Sequence, residues 1–335
     1  MEKLSQPQEI YQCYKIVDIS VEYNKLWKQG IPTVSVITPV YNRINELLRC
    51  INSVKNQTFH DFEYIIVNDG STHNLDSIVK PFLDTADFAV LYIKKPNGGV
   101  HTARNAGIRH ARGKLIAMLD SDDEFLPDAL KIFIEAWNNI HDKENYAEIK
   151  AMCIDQNGVR ITPDLPDGIN SLPMEQRWKI IKKQFSGEQI GFRVAEILKA
   201  NTWPEPEGIT FVNEDIVWQR LHKQYKTLFI NNVVRIYHTE TDISYTKQNG
   251  TNKIQLVKNK AYNACYMLNE PDTYIPCAMD YLKMMMYYCI LDRILKKWRN
   301  ADMPIKLSGR KNRFFYTLFY IPAMMFANTY IKKKL

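Results

Sequence analysis

LIAMLDSDDEFLP, residues 115–127, decides how this chain is to be understood. An apolar run of strand character ends in three carboxylates within four positions, Asp120, Asp122 and Asp123, at the point where the chain would leave a sheet. Like charges so crowded repel one another unless a cation sits among them. Oxygen donors suit hard Mg²⁺ or Mn²⁺, which usually complete their shell with substrate phosphates. The competing reading is an acidic turn whose last aspartate caps a helix opening at Pro127.

The order of elements upstream weighs between the two. Residues 34–38 form a short apolar run stopped by Pro39, and 45–55 place Leu47, Leu48, Ile51 and Val54 on one helical face. A second apolar run at 64–67 breaks at Asn68, Asp69, Gly70 and Ser71; a helix follows over 75–83, a third strand over 90–93, and a helix over 101–110 leads into the strand at 115–119. Strands alternating with helices imply right-handed crossovers and a mostly parallel sheet covered on both faces, an α/β fold. Ligands bind such sheets at the carboxyl ends of the strands. The conspicuous polar groups all fall there: Tyr41 and Asn42, Asp69, the segment 97–99, and Asp120 to Asp123.

Four stretches, TPVYNR at 38–43, VNDGST at 67–72, PNGGVHTARNAG at 96–107 and MLDSDD at 118–123, resemble the ordered motifs of the family 2 glycosyltransferases, which have the GT-A fold. The resemblance is strong over residues 32–137 and weaker beyond. It implies a nucleotide lying across the strand ends. Pro39 and Tyr41 would pack against a uracil, and Asp69 would accept a hydrogen bond from the ring N–H, a carboxylate being able only to accept. Gly98 and Gly99 would let the backbone approach the nucleotide. Arg104 would offer its guanidinium to the nucleotide or to Asp69. Asp120 is similar to the family aspartate near ribose and metal, and Asp122 to the one that binds Mn²⁺ or Mg²⁺ directly. The bland alternatives are a core tyrosine at 41, a turn-forming aspartate at 69 and a surface arginine at 104.

The second half must supply the acceptor site. Residues 148–161 read as a hairpin turning at Asn157 and Gly158. Residues 211–220, FVNEDIVWQR, carry an acidic pair where the family usually has one. By that resemblance Asp215 is the catalytic base and Glu214 the second choice, since an attacking hydroxyl must lose its proton as the new bond forms. A helix cap made by Asn213 and the two acids is the alternative. His238 lies where some GT-A enzymes place a further metal ligand. No QxxRW follows the acidic pair, so the resemblance implies one sugar per encounter. A sugar-phosphate nucleotidyltransferase should carry a glycine-rich loop after its first strand, and PVYNRINE has no glycine. A non-catalytic nucleotide-sugar binder would not need Asp122 and Asp215.

Composition bounds the remainder. The 335 residues, 45% of them hydrophobic, divide into a helical arm over 1–30, a catalytic domain over 31–245 (nucleotide half 31–125, acceptor half 126–245) and a helical, basic region over 246–335. No apolar leader opens the chain, which points to the cytoplasm, and the six cysteines lack CxxC spacing, as reduced thiols would. Within the net charge of +7, the span 296–334 holds ten Lys or Arg and one acid, Asp302, around an uncharged, aromatic 314–331. That segment reads either as an interfacial anchor drawn to anionic lipid on the inner leaflet or as a helical cap. No nucleic-acid recognition motif accompanies the charge. The expected activity is inverting transfer of one sugar from a nucleotide-sugar, a UDP-sugar by the resemblance, to a glycan or lipid-linked acceptor of a surface polysaccharide. The loops over 155–207 would select the substrates.

Overall fold

The computed structural model describes residues 19–165, 171–172, 187–239, 253–270, 275, 277–298 and 305–334. Its ten strands are β1 (Ser20–Tyr23), β2 (Val34–Val40), β3 (Phe62–Asp69), β4 (Ala89–Lys95), β5 (Leu115–Met118), β6 (Glu124–Phe125), β7 (Tyr146–Asp155), β8 (Ser171–Leu172), β9 (Gln189–Val194) and β10 (Lys226–Tyr237). They form one sheet in the order β1-β4-β3-β2-β5-β9-β7-β10-β6, with β8 on β10. β4, β3, β2 and β5 are parallel, as the alternation of strands and helices requires. Beyond β5 the expected mostly parallel sheet becomes mixed: β9 is antiparallel to both β5 and β7, and β10 is parallel to β7.

Period-two alternation sends side chains to two cores. Val34, Val36, Tyr64 and Ile66 face one, beneath α1 (Ile44–Lys55), α2 (Asp76–Thr85) and α4 (Ala129–Asn138). Ile37, Ile65, Val67 and Ile93 face the other, covered by α3 (Val100–His110), α5 (Ala195–Ala200) and α6 (Asp215–Gln224). α1 buries Leu47, Ile51 and Val54 as its spacing demands, together with Cys50. Leu48, expected on the same face, is exposed.

Three expectations are corrected. The helical arm expected over 1–30 lies outside the described residues up to 18, and Ser20–Tyr23 is an edge strand antiparallel to β4, tied across by Glu22 and Lys94 at 2.6 Å. Strand pairing there satisfies the open edge of β4, which helix would not. The hairpin over 148–161 turns where expected, with Asp155 N–H donating to the Val159 carbonyl and Asp155 Oδ1 accepting from Val159 N–H, but its return is a single bridge between Ile154 and Arg160 because β7 spends its edges on β9 and β10. The helical region is also not a separate appendage. α7 (Lys253–Asn269) inserts Tyr262 into the second core, and α8 (Ala278–Lys297) packs with α7 and α9 (Arg310–Lys334). The expected boundary at 245–246 falls outside the described residues.

One buried charge cluster locks the mixed half of the sheet. Glu148 of β7, fully buried, pairs with Arg193 of β9 at 3.2 Å and with His222 of α6, and accepts from Thr227 of β10 at 2.9 Å. Burial alone would raise this carboxyl, but Lys150, His222 and Arg193 outweigh it and hold it well below the usual range. Glu148→Gln should therefore destabilise the fold by about 3 kcal/mol or more, because it leaves the buried Arg193 without its counter-charge. A loss of unfolding free energy, from urea titration, of less than about 1 kcal/mol would show that the cluster does not matter to stability.

Candidate active site

The carboxyl ends of β2, β3, β4 and β5 open on a cleft of about 530 Å³, lined among others by Pro39, Tyr41, Asp69, Gly99, Arg104, Asp120, Asp122, Glu214 and Tyr237. The loops after β2 and β3 are pinned together by Asn42. Its backbone is left-handed (φ 55°), a conformation Asn tolerates better than most residues, and its side-chain oxygen accepts from Thr72 N–H at 2.7 Å and His73 N–H at 3.2 Å. This holds Tyr41 on one side of the cleft and Asp69 on the other.

Asp69 is buried, and both of its oxygens are engaged by its own chain. Oδ1 accepts from Lys95 Nζ at 2.5 Å and from Gly98 N–H at 3.1 Å, and Oδ2 from Gly99 N–H at 2.9 Å. Lys95 also donates to the Pro96 carbonyl at 2.7 Å and to Thr102 Oγ1 at 2.8 Å. Sequence reasoning missed this lysine, although a Lys entering an otherwise apolar strand was the available signal. The glycines serve the chain itself. At Gly99 (φ 93°) a Cβ would overlap the Thr210 carbonyl, so this position admits only glycine. Gly98 presents its N–H to Asp69 and does not line the cleft.

Arg104 is buried and reaches Asp120 (Nη2 to Oδ1, 2.9 Å) and Glu214 (Nη1 to Oε1), not Asp69 as expected. Its guanidinium lies 5.8 Å from the centre of the Trp203 ring. Trp203 in turn packs edge-on against Trp218, whose indole N–H donates to Glu214 Oε2 at 3.2 Å. Burial alone would raise the Glu214 carboxyl, but the Arg104 guanidinium, helped by Trp218, holds it down at about 2. Beside Arg104, burial together with the Lys95 and Arg104 charges pushes the His101 imidazole down to about 3, so it stays neutral between two cations.

The three aspartates each pair with a different arginine. Asp122 pairs with Arg43 at 2.8 Å, Asp120 with Arg104, and the buried Asp123 with Arg235 at 3.1 Å. Burial, opposed by Arg235 and reinforced by Asp120 and Asp122, pushes Asp123 up to about 7. His238 is turned away from Asp122: its Nε2 meets Glu124 at 2.7 Å, and its backbone N–H donates to Asp123 at 3.2 Å. The expected metal role for His238 thus finds no support in the geometry, because Glu124 occupies its ring. Among the described residues no three His, Cys, Asp or Glu side chains gather to hold a metal by themselves. Asp120 and Asp122, both in the cleft wall, still fit a hard cation held by one or two carboxylates and completed by phosphate oxygens.

The acidic pair divides. Glu214 lines the cleft, whereas Asp215, expected as the base, is exposed at the first turn of α6 and outside the lining. The segment leading to it is held by α7. Asn259 Oδ1 accepts from Thr210 N–H at 3.1 Å, Asn263 Oδ1 from Asn213 N–H at 2.7 Å, and Asn263 Nδ2 donates to the Phe211 carbonyl at 3.2 Å. Two asparagines four apart on one helix face were the signal. The loops expected to choose substrates fall partly on 166–170 and 173–186, outside the described residues.

Residues 35–161 match the profile of glycosyl transferase family 2. The chain is 29% identical to the GalNAc(5)-diNAcBac-PP-undecaprenol beta-1,3-glucosyltransferase of Campylobacter jejuni over 79% of its length and 85% of that protein's. It is 44% identical to an uncharacterized glycosyltransferase of Rickettsia bellii over 35% of its length, and this match spans only 17% of the relative. Among solved structures, S. aureus TarS 1-349 in complex with UDP-GlcNAc superposes with a TM-score of 0.52 at 17% identity, over 87% of this chain and 81% of that one. The mannosyltransferase PcManGT from Pyrobaculum calidifontis, in complex with GDP-Man and Mn²⁺, does so with a TM-score of 0.51 at 15% identity, over 93% and 90%. At such identities the likeness concerns the fold, which is GT-A.

The electrostatics yield a pH dependence. The folded Glu214 carboxyl lies near 2 against an ordinary 4.5, so its contribution to stability is present above 4.5 and is lost as pH falls through 2. Glu214→Gln should be less stable at neutral pH and show a shallower loss of urea midpoint across that acid window. Parallel curves for the two proteins would mean that the pair with Arg104 contributes nothing to folding.

Proposed function

We propose that this chain, whose residues 35–161 match the profile of glycosyl transferase family 2, moves one sugar from a nucleotide-sugar to a hydroxyl of a glycan acceptor, with inversion at the anomeric carbon. One observation carries the reading. Asp69, Arg104, Asp120, Asp122 and Glu214, scattered over the chain, converge on a single cleft at the strand ends. The donor is a UDP-sugar on this reading: Pro39 and Tyr41 border the base, and Asp69 keeps lone pairs that an imide N–H can address. Asp120 and Asp122 would hold Mn²⁺ or Mg²⁺, which when bound supplies positive charge for the diphosphate that departs.

Asp215 is the proposed base. Glu214 is spent on Arg104 and Trp218 and held near 2, which makes it a poor proton acceptor at neutral pH. Asp215 follows it directly, exposed beside the cleft where an acceptor hydroxyl can approach. The acceptor is proposed to be a surface glycan carried on lipid, met at the cytoplasmic face of a membrane. The C. jejuni relative, named for an undecaprenol-linked acceptor, supports this. A sugar-phosphate nucleotidyltransferase or a non-catalytic binder are the alternatives, and donor hydrolysis with a panel of UDP-, GDP- and TDP-sugars, with and without Mn²⁺, separates them. Release of nucleoside diphosphate from no donor in the panel defeats the transferase reading.

Asp215→Asn should lower kcat by about a hundredfold or more while donor binding stays near wild type, because the amide keeps the shape and cannot take the proton. If Glu214→Gln has that pattern and Asp215→Asn does not, the base is the wrong acid of the pair. Asp122→Asn should abolish the Mn²⁺ response of donor turnover with an unchanged thermal melt. Wild-type turnover with the same Mn²⁺ dependence would remove Asp122 from the metal site.

A further inference from the structure

α9 is apolar on two opposite sides. One side packs inward: Asn312, Ala323 and Ala327 are buried, and Phe315, Tyr316 and Phe319 lie against the cluster formed with α7 and α8. On the other side Phe314, Leu318, Ile321 and Met325 are 64, 56, 71 and 77% exposed. Their spacing of four, three and four residues puts them in one row along a helix. α9 has 25 residues, so it runs about 37 Å. A helix apolar all round is normally buried all round. Here the packing of α9 covers only half of it.

Charge selects the occupant of the other half. Arg310, Lys311 and Arg313 are exposed at the N-terminal end of the row, and the sequence closes it with Lys332, Lys333 and Lys334. No acid occurs between 310 and 334. A second copy of α9 laid along the row would set basic ends against basic ends in either direction. An anionic lipid surface is complementary to both ends at once and accepts the apolar row between them. Among the described residues no helix is long and apolar enough to cross a membrane.

We infer that the row Phe314, Leu318, Ile321 and Met325, with its flanking lysines and arginines, docks the protein on an anionic bilayer. The inference deepens the proposed lipid-borne acceptor by naming the surface that would bring the cleft to it. Because α7 packs with α8 and also holds the cleft segment 210–213, such docking fixes the active site relative to the membrane.

The test is co-sedimentation of the full chain with vesicles of phosphatidylcholine alone or mixed two to one with phosphatidylglycerol. The chain should bind the mixed vesicles, weakly or not at all the neutral ones, and lose binding as salt is raised. Leu318→Ser with Ile321→Ser should weaken binding by about tenfold or more, with an unchanged thermal melt because both side chains are exposed. Donor hydrolysis by this variant in solution should equal that of wild type. Equal binding by the variant, no binding of the wild-type chain to mixed vesicles, or a dimer that the same substitutions dissolve would each overturn the inference. A wild-type chain that binds vesicles yet hydrolyses no donor would defeat the transferase reading and leave the docking surface standing.

Discussion

Arg104 is the constraint on which the site depends. It sits on α3, behind the nucleotide half, and its two guanidinium nitrogens hold one carboxylate from each half of the chain, Asp120 after β5 and Glu214 before α6. A lysine could not take both, because an ammonium is a compact charge without a fork. Arg104 itself is buried, while both carboxylates keep an edge open to the cleft. The tryptophan pair beneath it, Trp203 and Trp218, limits where the guanidinium and Glu214 can go. The distance between the LDSDD turn and the acidic pair is thus set by a single side chain.

The helical region extends this constraint beyond the sheet. Thr210 is gripped from both sides, by the Gly99 backbone that no side chain could replace and by Asn259 of α7. A segment without regular structure, so clamped, delivers Glu214 and Asp215 to α6 with little freedom, which is what a group acting on a reacting hydroxyl needs. The residues that do this clamping lie in the part of the chain that composition alone set aside as a tail.

What was legible in the sequence follows from how local each signal is. The strands and helices between Val34 and Met118 were read nearly to their ends, because a parallel sheet buried on both faces writes continuous apolar runs punctuated at the ligand edge. Tyr41, Asp69, Asp120 and Asp122 stood out at the strand ends, and the resemblance to the family motifs added Pro39 and Arg104; all six line the cleft. Their partners were not legible. That Asp69 would meet Lys95, Asp122 Arg43, and Arg104 Glu214 depends on contacts between residues far apart in sequence or on different loops, about which periodicity is silent. β1 was missed because an edge strand is held by its neighbour and not by its own pattern. That His238 would meet Glu124 was equally out of reach, because its position along the chain was known and the direction of its ring was not.

The acids of the cleft are each answered by a basic side chain. Asp69, Asp120, Asp122, Asp123 and Glu214 are answered by Lys95, Arg104, Arg43 and Arg235, with Arg104 serving two acids. The repulsion that the LDSDD turn suggests on paper is thus offset residue by residue. The same balance leaves no surplus positive charge for a nucleoside diphosphate, which carries negative charge of its own. On the proposed reading two changes can make room for it: the arginines exchange carboxylate for phosphate oxygens, or a divalent cation arrives with the donor. Arg104 is poorly placed for the first, being buried against Trp203 and committed to two acids. Arg43, on the loop that Asn42 pins and at the cleft wall beside Asp122, is placed for it. The salt bridge at the cleft wall is in this view the resting form of the donor site.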